Sequence, residues 1–304
     1  MVADKGTVLL DVSPTPPGPC GWDTRRSQTV VGGSPGPLPC AAMRVVDLDR
    51  DMSDVIPTGT TRDSEYLFDR MTQATLGHTD PGPGRRILDV ASGFGQDAIL
   101  LQEKGATVVG AEPSERMMAW ARMKSDEATG AVPSWVRGWS DALPFATDSF
   151  DAAFCKGALD HFDRPELAIA EMARVTRPGG RVVLAIANFE SLSCRGARAV
   201  DDLRELGLGR PVARGRRHYD VPADHFTRYE LSLMREQAGA HLHLDTVEGI
   251  SLAWGLPLWT RAVGHLPAPL ADASLRLLDG LAGRFPGLAD VIILAGHPRR
   301  SRGS

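Results

Sequence analysis

From Ile87 to Ala98 the chain reads ILDVASGFGQDA, an apolar run that ends in an acid and breaks into glycines. Glycines after a parallel strand let a ligand approach bare backbone. An acid at the strand end, Asp89, suits a ligand that carries an ammonium. It suits a pyrophosphate poorly, because like charges repel. Gly93 to Ala98 also fits the dinucleotide fingerprint G-x-G-x-x-A. In that fingerprint the first glycine follows the apolar strand almost at once, whereas Asp89 closes the strand here. A plain turn without a ligand is the third reading. A second acid, Glu112, closes the next strand in GAEPS, where a carboxylate can accept two hydrogen bonds from a ribose diol. Met117 follows at the start of a helix, where its side chain can cover an adenine face.

A second set of residues could move protons. The segment KGALDHF, Lys156 to Phe162, should follow the fourth strand and face the ligand crevice. His161 has the side chain suited to base work, Asp160 can orient it, and Lys156 can hold an anionic group. Plainer roles compete: His161 capping a helix or packing on the sheet, and Lys156 pairing with a surface acid. The segment YDVPADHFTRY brings Tyr219, His225 and Tyr229 near an expected lid, with His225 as a substrate contact. Thr227 reads as a helix cap there, with Glu230 three residues on completing a capping box.

The elements that must position these groups follow from periodicity and punctuation. Residues 1–42, dense in Pro and Gly, are expected to be disordered, and Met43 is a second candidate start. Helices are expected at 64–76, 96–104, 114–127 (capped by Ser114), 164–176, 197–206, 227–238 and 270–284. Strands are expected at 86–91, 106–111, 134–137, 151–155, 181–187, 243–248 and 290–295, with Pro178-Gly179-Gly180 as a tight turn. This alternation predicts an α/β fold: a mostly parallel sheet covered by helices on both faces. Residues 43–189 form the expected core, and 190–304 a cap that also completes the sheet. Trp254, Leu256, Leu258 and Trp259 either pack under the inserted helices or line an acceptor pocket, with packing favoured.

Bulk properties exclude some classes. Of 304 residues, the charged ones sum to −4, without the basic excess of a nucleic-acid binder. The arginines of 195–217 are diluted by Asp201, Asp202 and Glu205 and lack interleaved aromatics, so a solvated helical face is expected. Cys20, Cys40, Cys155 and Cys194 have no metal-site spacing, so no metal is expected and the thiols should be free. No apolar run suits a membrane span or secretory signal, which points to a cytoplasmic protein. Monomer and homodimer both stay open.

Taken together the motifs resemble the class I S-adenosylmethionine-dependent methyltransferases of the small-molecule type. Asp89, Ala91, Gly93 and Gly95 match the family's Asp/Glu-x-Gly/Ala-x-Gly-x-Gly motif, and Glu112 its second-strand acid. Leu143-Pro144-Phe145 with Ser149-Phe150-Asp151, and Arg177 to Gly180, match two further segments. The match covers residues 63–187 and implies a Rossmann-like seven-stranded sheet with an inserted helical cap in the C-terminal half. It also implies S-adenosyl-L-methionine as cofactor, held by Asp89, Ala91, Ser92, Gly93, Gly95, Glu112, Pro113, Met117, Ser140, Asp141, Ala142 and Lys156. The implied activity is methyl transfer to a small molecule of secondary or cofactor metabolism. An RNA or protein methyltransferase, a cofactor-binding scaffold without turnover, and an NAD-type oxidoreductase are the alternatives. One departure stands out: Trp139 occupies the place of an Asp that accepts from the adenine amino group. Asp141 substituting for that Asp, Trp139 stacking on the adenine, and Trp139 filling a core gap all stay open.

Overall fold

The computed structural model of the protein describes residues 61–127, 130–209, 217, 219–220 and 225–300. The expected disorder of 1–42 and the question of Met43 lie outside the described residues. Seven strands make one sheet: β1 (Arg86–Val90), β2 (Thr107–Glu112), β3 (Ser134–Arg137), β4 (Phe150–Lys156), β5 (Thr176–Ala187), β6 (Leu242–Ile250) and β7 (Val291–Pro298). Their order is β3-β2-β1-β4-β5-β7-β6. β1 to β5 pair in parallel, while β7 runs antiparallel to both β5 and β6.

Helices cover both faces, so the central strands are apolar on both sides rather than alternating. On one face Leu88, Val90 and Val182 pack with Ile169 and Met172 of α4 (Pro165–Val175) and Met234 of α6 (Leu231–His241). On the other, Ile87, Val108 and Val183 pack with Leu67 and Met71 of α1 (Arg62–His78) and Leu101 of α2 (Gln96–Glu103). α3 (Glu115–Glu127) starts as expected: Ser114 Oγ accepts from Met117 N at 3.3 Å. The chain leaves β1 in one direction along the sheet and returns beside it as β4, a switch point where α/β sheets bind ligands at the carboxyl ends of the strands. The buried Cys155 and Cys194 are free thiols. Among the described residues no helix is long and apolar enough to cross a membrane.

Four local expectations need correction. α5 (Leu192–Leu208) begins earlier than expected, because Ser191 caps it by accepting from Cys194 N. α6 begins at Leu231 and not at Thr227; Glu230 holds the cap position without a side-chain bond, and no Thr227 capping box forms. The reason is tertiary: the amides of Phe226 and Thr227 donate to the carbonyl of Asp160, at 2.7 and 3.3 Å, and keep that stretch out of the helix. The Arg177-Pro178-Gly179-Gly180 segment belongs to β5, beside a register shift between Phe150 and Ala152, instead of forming a turn ahead of the strand. Finally α7 (Pro257–His265) was not foreseen, although Pro in the first helical turn is a start signal. Between β6 and β7 it joins α8 (Ala268–Arg284) as the inserted helices. Trp259 packs there with Val263, Ala271, Leu275 and Tyr66, and Trp254 lies against the α1 face with Nε1 donating to Ser64 Oγ at 3.0 Å. The two tryptophans pack in separate places, while Leu258 is 82 % exposed and packs with neither.

Candidate cofactor and acceptor site

The turn after β1 is built from left-handed backbone. Ala91, Gly93 and Gly95 have φ of 58, 53 and 80°. The amides of Ala91 and Ser92 both donate to the carbonyl of Ala111, at 2.9 and 3.2 Å, which folds the turn back over β2. The two glycines serve different ends. A Cβ at Gly95 would lie 2.3 Å from Trp135 Cη2, so the indole occupies that space and seats α2 on the sheet. A Cβ at Gly93 would meet nothing nearer than Met117 Cε, at 3.9 Å. Gly93 therefore leaves a bare, open cradle with Met117 at its edge.

Two acids lie beneath it. Asp89 is 3 % exposed, and its Oδ2 has no hydrogen-bond partner. Burial pushes its carboxyl well above the usual range, with Asp97 and Glu112 adding repulsion and Lys156 opposing them. Glu112 is 7 % exposed and accepts from Gly93 N at 3.0 Å and Ser114 N at 2.9 Å. Burial raises its carboxyl too, against those two backbone bonds. An orphaned buried carboxylate oxygen beside an open glycine cradle fits a ligand that brings a cation and hydroxyl donors. It does not fit a pyrophosphate.

The other expected contacts divide. The ammonium of Lys156 is engaged by Thr72 Oγ1 at 2.7 Å and Asp97 Oδ2 at 2.7 Å, a half-buried pairing and not one with a surface acid. Asp141 pairs with Arg164 at 2.7 Å. Trp139 forms a bridge with Ala142 across Ser140 and Asp141, and its 38 % exposure shows that it fills no core gap. The carbonyl of Pro113 accepts from Arg137 Nε at 3.2 Å. Asp97, Thr72, Arg164 and Trp135 escaped the sequence reading. Asp97 hides in a spacer position of the glycine fingerprint, and the only hint of Trp135 is Gly110, whose Cβ would lie 2.4 Å from its ring.

The proton-moving candidates converge. The turn after β4 puts Asp160 and His161 in a single 3-10 turn, Leu159–His161. The Phe226 and Thr227 amide bonds to Asp160 bring His225 against them. His225 Nε2 lies 3.1 Å from Asp160 Oδ2, His161 Nε2 lies 3.9 Å from Asp160 Oδ1, and the two imidazole centroids are 4.1 Å apart. The acidic side chain is 5 % exposed, and the imidazoles of His161 and His225 are 32 % and 17 % exposed, so the group opens toward solvent on its histidine side. Tyr219 and Tyr229 stay out of it: Tyr219 donates to Asp201 at 2.9 Å, and the fully buried Tyr229 donates to Gln237 at 2.8 Å.

Comparison with known proteins gives the family. A family model described as a methyltransferase domain matches residues 88–184. An uncharacterized methyltransferase of Mycobacterium avium is 33 % identical over 191 residues, which cover 63 % of this chain and 72 % of that protein. One of Mycobacterium tuberculosis is 34 % identical over 176 residues, 58 % of this chain and 66 % of that protein, so the match leaves about a third of that relative uncovered. The solved geranyl diphosphate C-methyltransferase of Streptomyces coelicolor superposes with a TM-score of 0.51 at 16 % identity, covering 78 % of this chain and 82 % of that one, a likeness of fold. The chain belongs to the S-adenosylmethionine-dependent methyltransferases of class I. The cofactor of that family is S-adenosyl-L-methionine.

Proposed function

We propose that this protein is an enzyme that methylates a small-molecule acceptor at an oxygen, nitrogen or carbon nucleophile. Residues 43–189 serve as the cofactor-binding core, and residues 190–304 as the acceptor-side region that also completes the sheet. The observation that carries the reading is the open space at Gly93 together with a buried Asp89 Oδ2 that has no hydrogen-bond partner. When bound, S-adenosylmethionine supplies a methyl group activated by its sulfonium, and the electron pair of the broken carbon–sulfur bond stays on sulfur.

Asp89 faces the ligand's ammonium. Glu112 accepts from its ribose hydroxyls with the lone pairs left over from Gly93 N and Ser114 N. Ala91, Ser92, Gly93 and Gly95 let the ligand lie against backbone, Pro113 and Met117 border the nucleoside, and Ser140 to Ala142 line its adenine end. Lys156 acts indirectly, by holding Asp97 beside Asp89. Asp160, His161 and His225 face the acceptor and take up its proton when the nucleophile is protic. The main task of the chain is alignment and exclusion of water.

Calorimetric titration with S-adenosylmethionine, its demethylated product and NAD tests the first step. Micromolar binding of the sulfur ligands without NAD is the expected result, and binding of NAD alone overturns the reading. Tight cofactor binding without turnover on any acceptor would favour a scaffold that kept the fold.

A further inference from the structure

We infer that Asp160, His161 and His225 form a binding site for one divalent ion of the zinc type. Sequence spacing could not show it, because His225 is remote from the other two along the chain. In the fold one ligand atom from each residue lies within 4.8 Å of the others. Two ligands that share a metal at ordinary bond lengths lie about 3.0–3.4 Å apart. His225 Nε2 already stands 3.1 Å from Asp160 Oδ2, and a tilt of the half-buried His161 ring, whose Nε2 is 3.9 Å from the other oxygen Oδ1, brings it to the same carboxylate.

A second observation is independent of these distances. Asp160 Oδ1 is a buried carboxylate oxygen with no hydrogen-bond partner, and it is directed at His161. Buried carboxylate oxygens ordinarily find donors or cations. The scaffold is also rigid where a metal site needs rigidity. The 3-10 turn fixes Asp160 and His161, and the Phe226 and Thr227 amides clamp the His225 segment onto the Asp160 carbonyl.

The donor set names the ion class. Two imidazoles and one carboxylate suit zinc, cobalt, iron(II) or manganese, with coordination positions left open. Magnesium and calcium prefer oxygen ligands throughout. The open positions lie on the histidine side, which is the exposed side. Their occupant in the proposed reaction would be an acceptor with a hydroxyl or enol oxygen. With the ion bound the two imidazoles are ligands in place of bases, and coordination would let that oxygen lose its proton to solvent near neutral pH and keep its lone pair for the methyl group. Only this last step rests on the methyl-transfer reading.

The test uses tag-free full-length protein, stripped with a chelator and titrated with Co2+ in the absence of cofactor. The expected result is one equivalent of Co2+ with visible d–d absorption, displaced by Zn2+. His161→Ala and His225→Ala should each weaken binding at least ~10-fold. Asp160→Asn, which keeps the side-chain shape, should weaken it as well. Thermal melts of the metal-free variants establish that they are folded. Absence of the band, or a band that persists in the folded His161→Ala/His225→Ala double variant, overturns the site. The readout needs no S-adenosylmethionine, so failure here and failure of the cofactor titration are separate results.

Discussion

Two groups of acids in this protein live under opposite conditions. At the carboxyl ends of β1, β2 and β4, Asp89, Glu112 and Asp160 are buried, and Asp89 and Asp160 each keep an oxygen without a hydrogen bond. Along β6, Glu248 accepts from His78 at 2.7 Å and pairs with Arg70 at 3.3 Å, while Asp279 of α8 takes the other arm of Arg70 at 2.8 Å. The hydrogen bond from His78 holds the Glu248 carboxyl below its usual range despite burial, whereas burial lifts Asp89 and Glu112. The β6 edge completes its own electrostatics. The ligand end leaves polar capacity that no described residue fills, and that asymmetry supports the proposed binding site more than any single motif does.

The two glycines of the β1 turn should break this comparison most sharply. Gly95→Ala meets Trp135 at 2.3 Å and has φ of 80°. It should cost about 1–3 kcal/mol for overpacking and a similar amount for strain, seen as a large drop in denaturation midpoint. A Cβ at Gly93 meets nothing nearer than Met117 Cε at 3.9 Å, so Gly93→Val adds bulk chiefly on the ligand side. Its melt should fall by only about 1–3 kcal/mol of left-handed strain, while S-adenosylmethionine binding disappears. Equal cofactor affinity in Gly93→Val and wild type would end the cradle assignment.

Next in size, Glu112→Ala removes the acceptor of Gly93 N and Ser114 N together with the proposed ribose contacts. Cofactor affinity should fall by about 10–100-fold, taking ~1.5–3 kcal/mol for bonds to a charged group. Calorimetry that finds the affinity unchanged removes the second-strand acid from the site.

Proton linkage sharpens the contrast further. In the free protein burial raises both carboxyls, with Asp97 adding repulsion at Asp89 and Lys156 opposing it. A cationic ligand binds the ionised carboxylates best. Binding should therefore release protons, and affinity should rise with pH until it passes the elevated free-protein values. Titration in two buffers of different ionisation enthalpy measures the protons released, and zero release contradicts the assignment of Asp89 to the ammonium.

The smallest effect belongs to the other region. Glu248→Gln should cost about 1 kcal/mol near neutral pH and leave cofactor affinity alone. The folded carboxyl of Glu248 lies below its unfolded value, so its contribution is present above the unfolded value and lost as pH falls through the folded one. Wild type and variant should therefore converge in acid. Denaturant curves that stay parallel down to low pH would show that the pair with His78 and Arg70 contributes nothing.

What could be read from the chain alone was what glycines and strand ends encode locally. Glycines after the first strand, an acid at each of two strand ends, and continuous apolar strands were enough for the sheet and for expecting a ligand at that turn. Ala91, with φ of 58°, shows that the turn tolerates a methyl at a position where the family also uses glycine. Long-range competition hid the rest. Thr227 carries a sound capping pattern, yet its amide is taken by Asp160, far away in the chain. His225 looked like a lid residue because nothing in its neighbours says that it will meet Asp160. Asp97 and Trp135 acquire their roles from packing partners that no periodicity reveals. α7 was hidden by its prolines and tryptophans, which read as a loop until Tyr66 and α8 gave the helix a surface to cover.

The position of β7 bears on how the chain is made. β6 leaves the ribosome well before Val291–Pro298, yet among the described residues it pairs with β7 alone. Until those late residues emerge, β6 and the α7–α8 insertion have no ladder to join, and the edge of β5 stands open beside them. A nascent chain arrested ahead of Val291 should expose that edge to chaperones, while the β1 turn, finished long before, could already take up its nucleoside.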